Sequence, residues 1–267
     1  MKTIIKAITG IIVTASFLCS TNLNAQDYHT IRVNGTILLE KTNAMLERGT
    51  VFNEEDPLVF KTYNSIATVI SPENGRFVLR PDNTDLAYAK ASYTPAMSNI
   101  SSRSSELMTV LDMKNHFNGK YVLFDKVNLK MNPDAFPMDE DNFFYIQYVY
   151  NNEKINKKLS FKDNYLILNK DEIFKVDGNS IEQDAVSEME VWYMQRNLGN
   201  KNTLLGSFEP VIIDNQELAN EITIIFEVFE EKSYEEKVNE ALSFINEFYG
   251  TPDRESLEEW IKENIDM

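Results

Sequence analysis

The 267-residue chain has few of the residues that cross-link a fold or drive common chemistry: one cysteine (Cys19), two histidines (His29 and His116), nine glycines and two tryptophans. A single cysteine excludes a disulfide within the chain, so any core must hold by packing alone. His-x-x-x-His spacing, Gly-x-Ser-x-Gly, a serine followed three residues later by lysine, and a glycine-rich phosphate loop are all absent. Basic residues are also outnumbered. The 26 Lys and Arg stand against 42 Asp and Glu, for a formal charge of −16. No Lys/Arg stripe runs along the chain, so the electrostatics of polyanion binding are missing and nucleic acid is not an expected partner. The acidity fits a cationic partner or divalent ions, or more simply a well-hydrated surface.

Long apolar runs are missing too. The apolar stretch Ala7 to Leu18 is too short for a membrane span; Lys2 and Lys6 precede it, and Leu23-Asn24-Ala25 follows. A basic start, a short apolar centre and a small residue at the cut are the features of a cleavable export signal, here residues 1–25. Cys19 offers lipidation as the alternative. Ser16-Phe17-Leu18 places the bulky and small residues the wrong way round for that, and cleavage after Ala25 is the reading adopted. The remaining chain has no transmembrane segment and no cysteine. It is long enough to bury sizeable cores and suits two modest domains.

From Tyr28 to Pro81 the pattern is a meander of short strands. Thr30-Ile31-Arg32-Val33 and Thr36-Ile37-Leu38-Leu39 flank Asn34-Gly35, the dipeptide of a type I′ hairpin turn. Leu58-Val59-Phe60, Ala67 to Ile70 and Phe77-Val78-Leu79 continue the series between turn-forming clusters, as in a small barrel or sandwich. The succession Asn34-Gly35-Thr36-Ile37, Leu46 to Phe52, Asp56-Pro57-Leu58-Val59-Phe60, Ile66 to Val69 and Asn74 to Leu79 resembles FecR-like and SH3-like β-domains of exported Bacteroidetes envelope proteins. That resemblance implies a small β-barrel or sandwich at 26–81, and with it a regulatory role as one alternative. In membrane regulators of the FecR type a transmembrane helix precedes this domain, whereas here the export signal takes that place.

Residues 82–117, with the cluster Ser101-Ser102-Arg103-Ser104-Ser105, carry little large apolar mass and read as a linker. A short helix over Glu106 to Leu111 is expected within it, and His116 is expected to be solvent-exposed. From 118 to 267 a second, β-rich domain is expected. Phe143-Phe144-Tyr145-Ile146-Gln147-Tyr148-Val149-Tyr150 is apolar or aromatic at almost every position, which predicts a central strand covered on both faces. Further strands are expected at Tyr165 to Leu168, Ile173 to Val176, Met189 to Met194, Pro210 to Ile213 and Ile222 to Phe229. Ser233-Tyr234-Glu235-Glu236 is a capping box ahead of a helical stripe ending at Gly250, and a second helix is expected to start at Thr251-Pro252. The fold class is therefore α+β, mainly β, closed by a C-terminal helical hairpin.

Candidate sites are few. Trp260 on the hairpin is a candidate partner contact, since tryptophan is enriched at binding hot spots. Tyr145, Tyr148, Tyr150, Trp192 and Tyr193 are candidates to line a carbohydrate or peptide groove. Asp134, Asp139, Glu140 and Asp141 form the acidic loop best suited to a hard cation, although it lacks the EF-hand spacing. The acidic run Glu227 to Glu236 fits the positive end of a helix dipole. No residue pattern calls for a cofactor, and none assembles a catalytic site. The leading reading is a non-catalytic exported module that binds an envelope protein or a cell-wall component, in the periplasm or beyond. The alternatives are a carboxylate-based hydrolase of envelope glycan or peptidoglycan, and a FecR-like regulator.

Overall fold

The computed structural model describes residues 27–53, 55–82, 91–96 and 106–266. The expected export signal and the serine cluster 101–105 lie outside the described residues. The N-terminal strands are β1 (Asp27–Asn34), β2 (Ile37–Leu39), β3 (Ala44–Met45), β4 (Val51–Asn53), β5 (Leu58–Phe60), β6 (Ile66–Ser71), β7 (Gly75–Pro81) and β8 (Ala91–Pro95). They form two sheets, β4-β1-β6-β7-β8 and β3-β2-β5, neither closed into a barrel. Tyr28, Ile37, Phe52, Phe60, Val69 and Leu79 fill the core between them, so the block is an open sandwich.

The expected hairpin at Asn34-Gly35 does not form. Strand β1 pairs with β4 and β6, whereas β2 pairs with β3 and β5. Only Gly35 of the dipeptide has positive φ, at 83°, and the chain turns a corner from one sheet into the other. At that corner the Ser65 hydroxyl accepts from the Thr36 amide and donates to the Thr36 carbonyl, both at 3.1 Å. A Cβ on Gly35 would lie 2.6 Å from that hydroxyl, so the close approach needs glycine.

The second half runs through α1 (Val110–His116), β9 (Lys120–Val122), β10 (Lys126–Lys130), β11 (Asn142–Tyr150), β12 (Glu153–Lys158), β13 (Ser160–Lys162), β14 (Tyr165–Asn169) and α2 (Lys170–Ile173). It continues with β15 (Lys175–Val176), β16 (Asn179–Ser180), β17 (Met189–Gln195), β18 (Lys201–Val211), α3 (Asn215–Val228), α4 (Tyr234–Phe248) and α5 (Arg254–Asn264). Its main sheet has the order β12-β11-β17-β18-β9, and a smaller one is β10-β14-β13. Phe144, Ile146, Val191 and Leu205 of the main sheet share one core with Leu129 and Leu166 of the smaller sheet and with Ile222, Phe244 and Ile261 of the helices. The type I′ signature found missing at Asn34-Gly35 appears at Asn151-Asn152, with φ of 50° and 64°, where β11 turns back into β12. Among the described residues no helix is long and apolar enough to cross a membrane.

Several expectations are corrected. Part of the expected linker is structured, because β8 pairs with β7. The short helix starts later than expected, at Val110, because Thr109 and Asp112 close a capping box there. His116 is buried, with Nε2 2.8 Å from the Tyr121 hydroxyl. The stretch Ile222 to Phe229, read as a strand from its β-branched residues, belongs mostly to α3. Leu218, Ile222 and Ile225 are buried at helical spacing, and Asp214 caps the helix by accepting from the Glu217 amide at 2.9 Å. Cap and periodicity outweigh local β-propensity.

Helix α4 begins at the Ser233–Glu236 capping box, as expected. Helix α5 begins instead after Asp253, because Thr251 is taken up by the sheet: its amide donates to the Lys120 carbonyl and its carbonyl accepts from the Val122 amide. Asp253 Oδ1 accepts from both the amide and the hydroxyl of Ser256. Burial nevertheless pushes the Asp253 carboxyl above its ordinary 3.8, outweighing those bonds. An acid whose folded pKa is raised holds its proton more tightly in the folded state, so its contribution to stability falls as pH rises from the unfolded value through the folded one. Asp253→Asn retains a capping oxygen and removes the titration. Its stability relative to the parent is expected to increase with pH across that window, as read by urea unfolding at a series of pH values; a pH-independent difference would refute this.

Two arginines bind the first sheet to the helices. Arg32 Nη1 donates to Glu217 at 3.0 Å, to the fully buried Glu221 at 2.8 Å, and to the Tyr249 hydroxyl. That hydroxyl in turn donates to Glu221 Oε2 at 2.6 Å. Arg76 reaches α4, donating from Nε to Glu240 at 2.6 Å, from Nη2 to the Ser243 hydroxyl at 2.8 Å, and from Nη1 to Glu247. Ile31 and Ile70 join the large core beside these pairs, giving the junction an apolar centre as well as charge.

Candidate aromatic sheet face

Strand β11 has a neighbour on each side, as its composition predicts, but only one of its faces is fully covered. Phe144, Ile146 and Tyr148 point into the core, while Val149 is 55% exposed and Tyr145 and Gln147 are partly exposed. The antiparallel register extends the outer face across the sheet. One row runs Lys158, Tyr145, Trp192, Leu204, and the next runs Asn156, Gln147, Glu190, Ser207. Phe143 and Met194 pair on the other flank. A bulge in β18 lets Leu205 and Gly206 both turn inward, so that Leu204 and Ser207 both stay on the outer face.

The rings of Tyr145 and Trp192 are parallel to within 9°, with centroids 6.3 Å apart. Phe143 lies beside Tyr145 at 6.5 Å. The indole orientation is held by Trp192 Nε1, which donates to Glu190 Oε2 at 2.9 Å. On the border of the face, Gln147 Nε2 donates to Asn156 at 2.8 Å and Lys154 Nζ donates to Gln147 Oε1 at 3.2 Å. Partial burial and the charge of Glu190 push the Tyr145 phenol above its ordinary value, so it remains a neutral hydroxyl. Flat apolar rings bordered by amides, a carboxylate and ammonium groups form a surface that can stack against a ligand and hydrogen-bond at its edges.

The other candidates are placed elsewhere. Tyr148 is 2% exposed and donates to the Ile173 carbonyl at 2.7 Å. Tyr193 is also core, its hydroxyl donating to the Pro137 carbonyl at 2.6 Å. Trp260 is 3% exposed, packs on Phe124 and donates from Nε1 to Asn215 at 3.1 Å, so it holds α5 in place and presents no surface to a partner. Two grooves near the helices, of about 460 and 430 Å³, are lined by other residues. In the acidic loop, Asp139 Oδ1 accepts from the amides of Asp141 and Asn142, and both of its carboxylate oxygens accept from the Asn142 side chain, so this carboxylate holds the loop's own turn. Among the described residues no three His, Cys, Asp or Glu side chains are grouped to hold a metal ion.

Leu204, Lys158 and Arg196 complete the face, with Phe143, 8% exposed, buried at its flank; sequence spacing alone does not single them out. Period-two alternation points to Phe143 from Tyr145, whereas Leu204 and Lys158 depend on strand register and Arg196 on the turn that follows β17. Fold and site together define an α+β, mainly β protein with an open aromatic sheet face. Compared with known proteins, the chain matches no family model, no curated protein and no solved structure.

Proposed function

We propose that this protein is a non-catalytic binding module of the bacterial envelope that takes a cell-wall glycan on the outer face of its main sheet. The observation that carries the reading is the parallel Tyr145–Trp192 pair, held on a rigid sheet with its edges bordered by Glu190, Gln147, Asn156 and Lys158. Sugar rings have apolar C–H faces and hydroxyl edges, and this surface offers a partner for each. The export pattern of residues 1–25 and the resemblance of residues 28–81 to envelope β-domains support the location.

The test is retention on purified cell-wall sacculi and on a panel of neutral and acidic polysaccharides, by pull-down and affinity electrophoresis. Trp192→Ala is expected to weaken retention about tenfold or more, the effect of losing a central aromatic contact, while leaving thermal stability nearly unchanged. Retention equal to the parent's would remove the face from the account. Retention on no polysaccharide, with a specific envelope protein captured through Trp192, would replace the glycan by a protein partner.

A further inference from the structure

We infer that the glycan taken by this face is acidic and that Lys158 and Arg196 bind its carboxylates; this rests on the reading of the Tyr145–Trp192 pair as a glycan platform. Cations are scarce in a chain with 26 Lys and Arg against 42 Asp and Glu, yet two of them contact a single ring. Lys158 Nζ lies 4.4 Å from the centroid of Phe143, and Arg196 Cζ lies 5.0 Å from it. The two residues are far apart in sequence, and both reach Phe143 because β11 lies between β12 and β17.

Both cations are exposed, and neither forms a salt bridge among the described residues. Two of the nearby acids, Glu190 and Asp139, have hydrogen-bond donors of their own. Glu190 accepts from the Trp192 indole. Asp139, whose field includes Lys158, is held mainly by Asn142. Arg196 Nη1 donates to the Glu140 backbone carbonyl at 3.3 Å, and the Arg196 amide donates to the Asp141 carbonyl at 2.8 Å. Cation–π contact with Phe143 thus positions an ammonium and a guanidinium without neutralising either. The guanidinium can bind a carboxylate with two parallel hydrogen bonds, and the ammonium can bind one as a point charge.

The ring row continues from this pair. Lys158 is the register partner of Tyr145, so a sugar stacked on Tyr145 and Trp192 brings a substituent on its edge beside the ammonium. Two cations with Glu190 close by make a poor track for a phosphate polymer, which needs a longer basic stripe. They suit a uronic-acid type of glycan, whose carboxylates sit on sugar rings.

The experiment compares three uronic-acid polymers, polygalacturonate, alginate and hyaluronate, with their carboxyl-reduced counterparts, by affinity electrophoresis at low and high salt. At least one acidic polymer is expected to be retained about tenfold more strongly than its reduced form at low salt, the size of two exposed charge contacts. The preference should shrink at high salt. Replacing Lys158→Gln and Arg196→Gln together should abolish it, so that acidic and reduced forms are retained equally, whereas Trp192→Ala should weaken both forms alike. Equal retention of acidic and reduced forms, or a preference that survives the double substitution, overturns the acidic assignment and leaves the platform standing. Retention of none of the six polymers overturns the acidic assignment, and the neutral members of the wider panel then decide the platform separately. Retention of DNA in preference to every uronic polymer likewise overturns it.

Discussion

Arg76→Ala is expected to lower the stability of the protein by about 3 kcal/mol, the lower end of the cost of removing one partner from a buried ion pair. The Arg76 side chain is 1% exposed, whereas Glu240 and Glu247 are 14% and 33% exposed. Its removal leaves two carboxylates and the Ser243 hydroxyl on α4 facing a void instead of the guanidinium. Water can reach Glu247, which keeps the cost from the upper end of the range. The Phe244 ring also loses the cation beside it. Because Arg76 belongs to the sandwich and its partners to α4, the damage falls on the junction between the halves. Urea unfolding should show the loss and a broadened or divided transition as the sandwich uncouples from the helices. A change below about 1 kcal/mol, the scale of an exposed pair, would mean that the arginine does not hold this junction.

The second large effect separates the two tryptophans. Trp260→Ala should cost about 3–5 kcal/mol, as expected for a large aromatic removed from a packed core. The indole is wedged beside Phe124, and its N–H satisfies Asn215 at the start of α3, so its loss loosens α5 from its neighbours. Trp192→Ala should cost less than about 1 kcal/mol, because the residue is only partly buried. Thermal denaturation of both variants reads the contrast directly. The reverse order of costs would exchange the roles of the two residues.

These contrasts show what was legible in the residues. The strands of the sandwich and the Ser233 capping box follow from local chemistry, and most of them form where expected. Asn34-Gly35 does not turn a hairpin because the choice of pairing partner is non-local: β1 lies between β4 and β6 in a different sheet from β2. The run Glu221-Ile222-Thr223-Ile224-Ile225 looks like a strand until the Asp214 cap and the helical spacing of Leu218, Ile222 and Ile225 are weighed with it.

The aromatic site was half legible. Tyr145 and Tyr148 share one aromatic run, yet strand alternation places residues three apart on opposite faces, and Tyr148 is in the core. The same alternation points from Tyr145 to Phe143. Lys158 and Leu204 join the face through strand register, and Arg196 through the turn after β17, neither of which sequence spacing specifies. The junction arginines were hidden for a similar reason. Glu217, Glu221, Glu240 and Glu247 stand among 42 acids and differ from the others only in what the fold brings against them.

The most direct measurement uses the scarcity of tryptophan. With two tryptophans in the chain, Trp260→Phe leaves Trp192 as the single indole and preserves an aromatic ring in the core. Its emission is then followed while purified cell-wall glycan is titrated in. A saturable change that tracks retention of the glycan, and is absent with a polysaccharide that is not retained, is the predicted result. Saturable binding of the glycan with no change in Trp192 emission or in its quenching by iodide would contradict the assignment of the Tyr145–Trp192 face as the binding site.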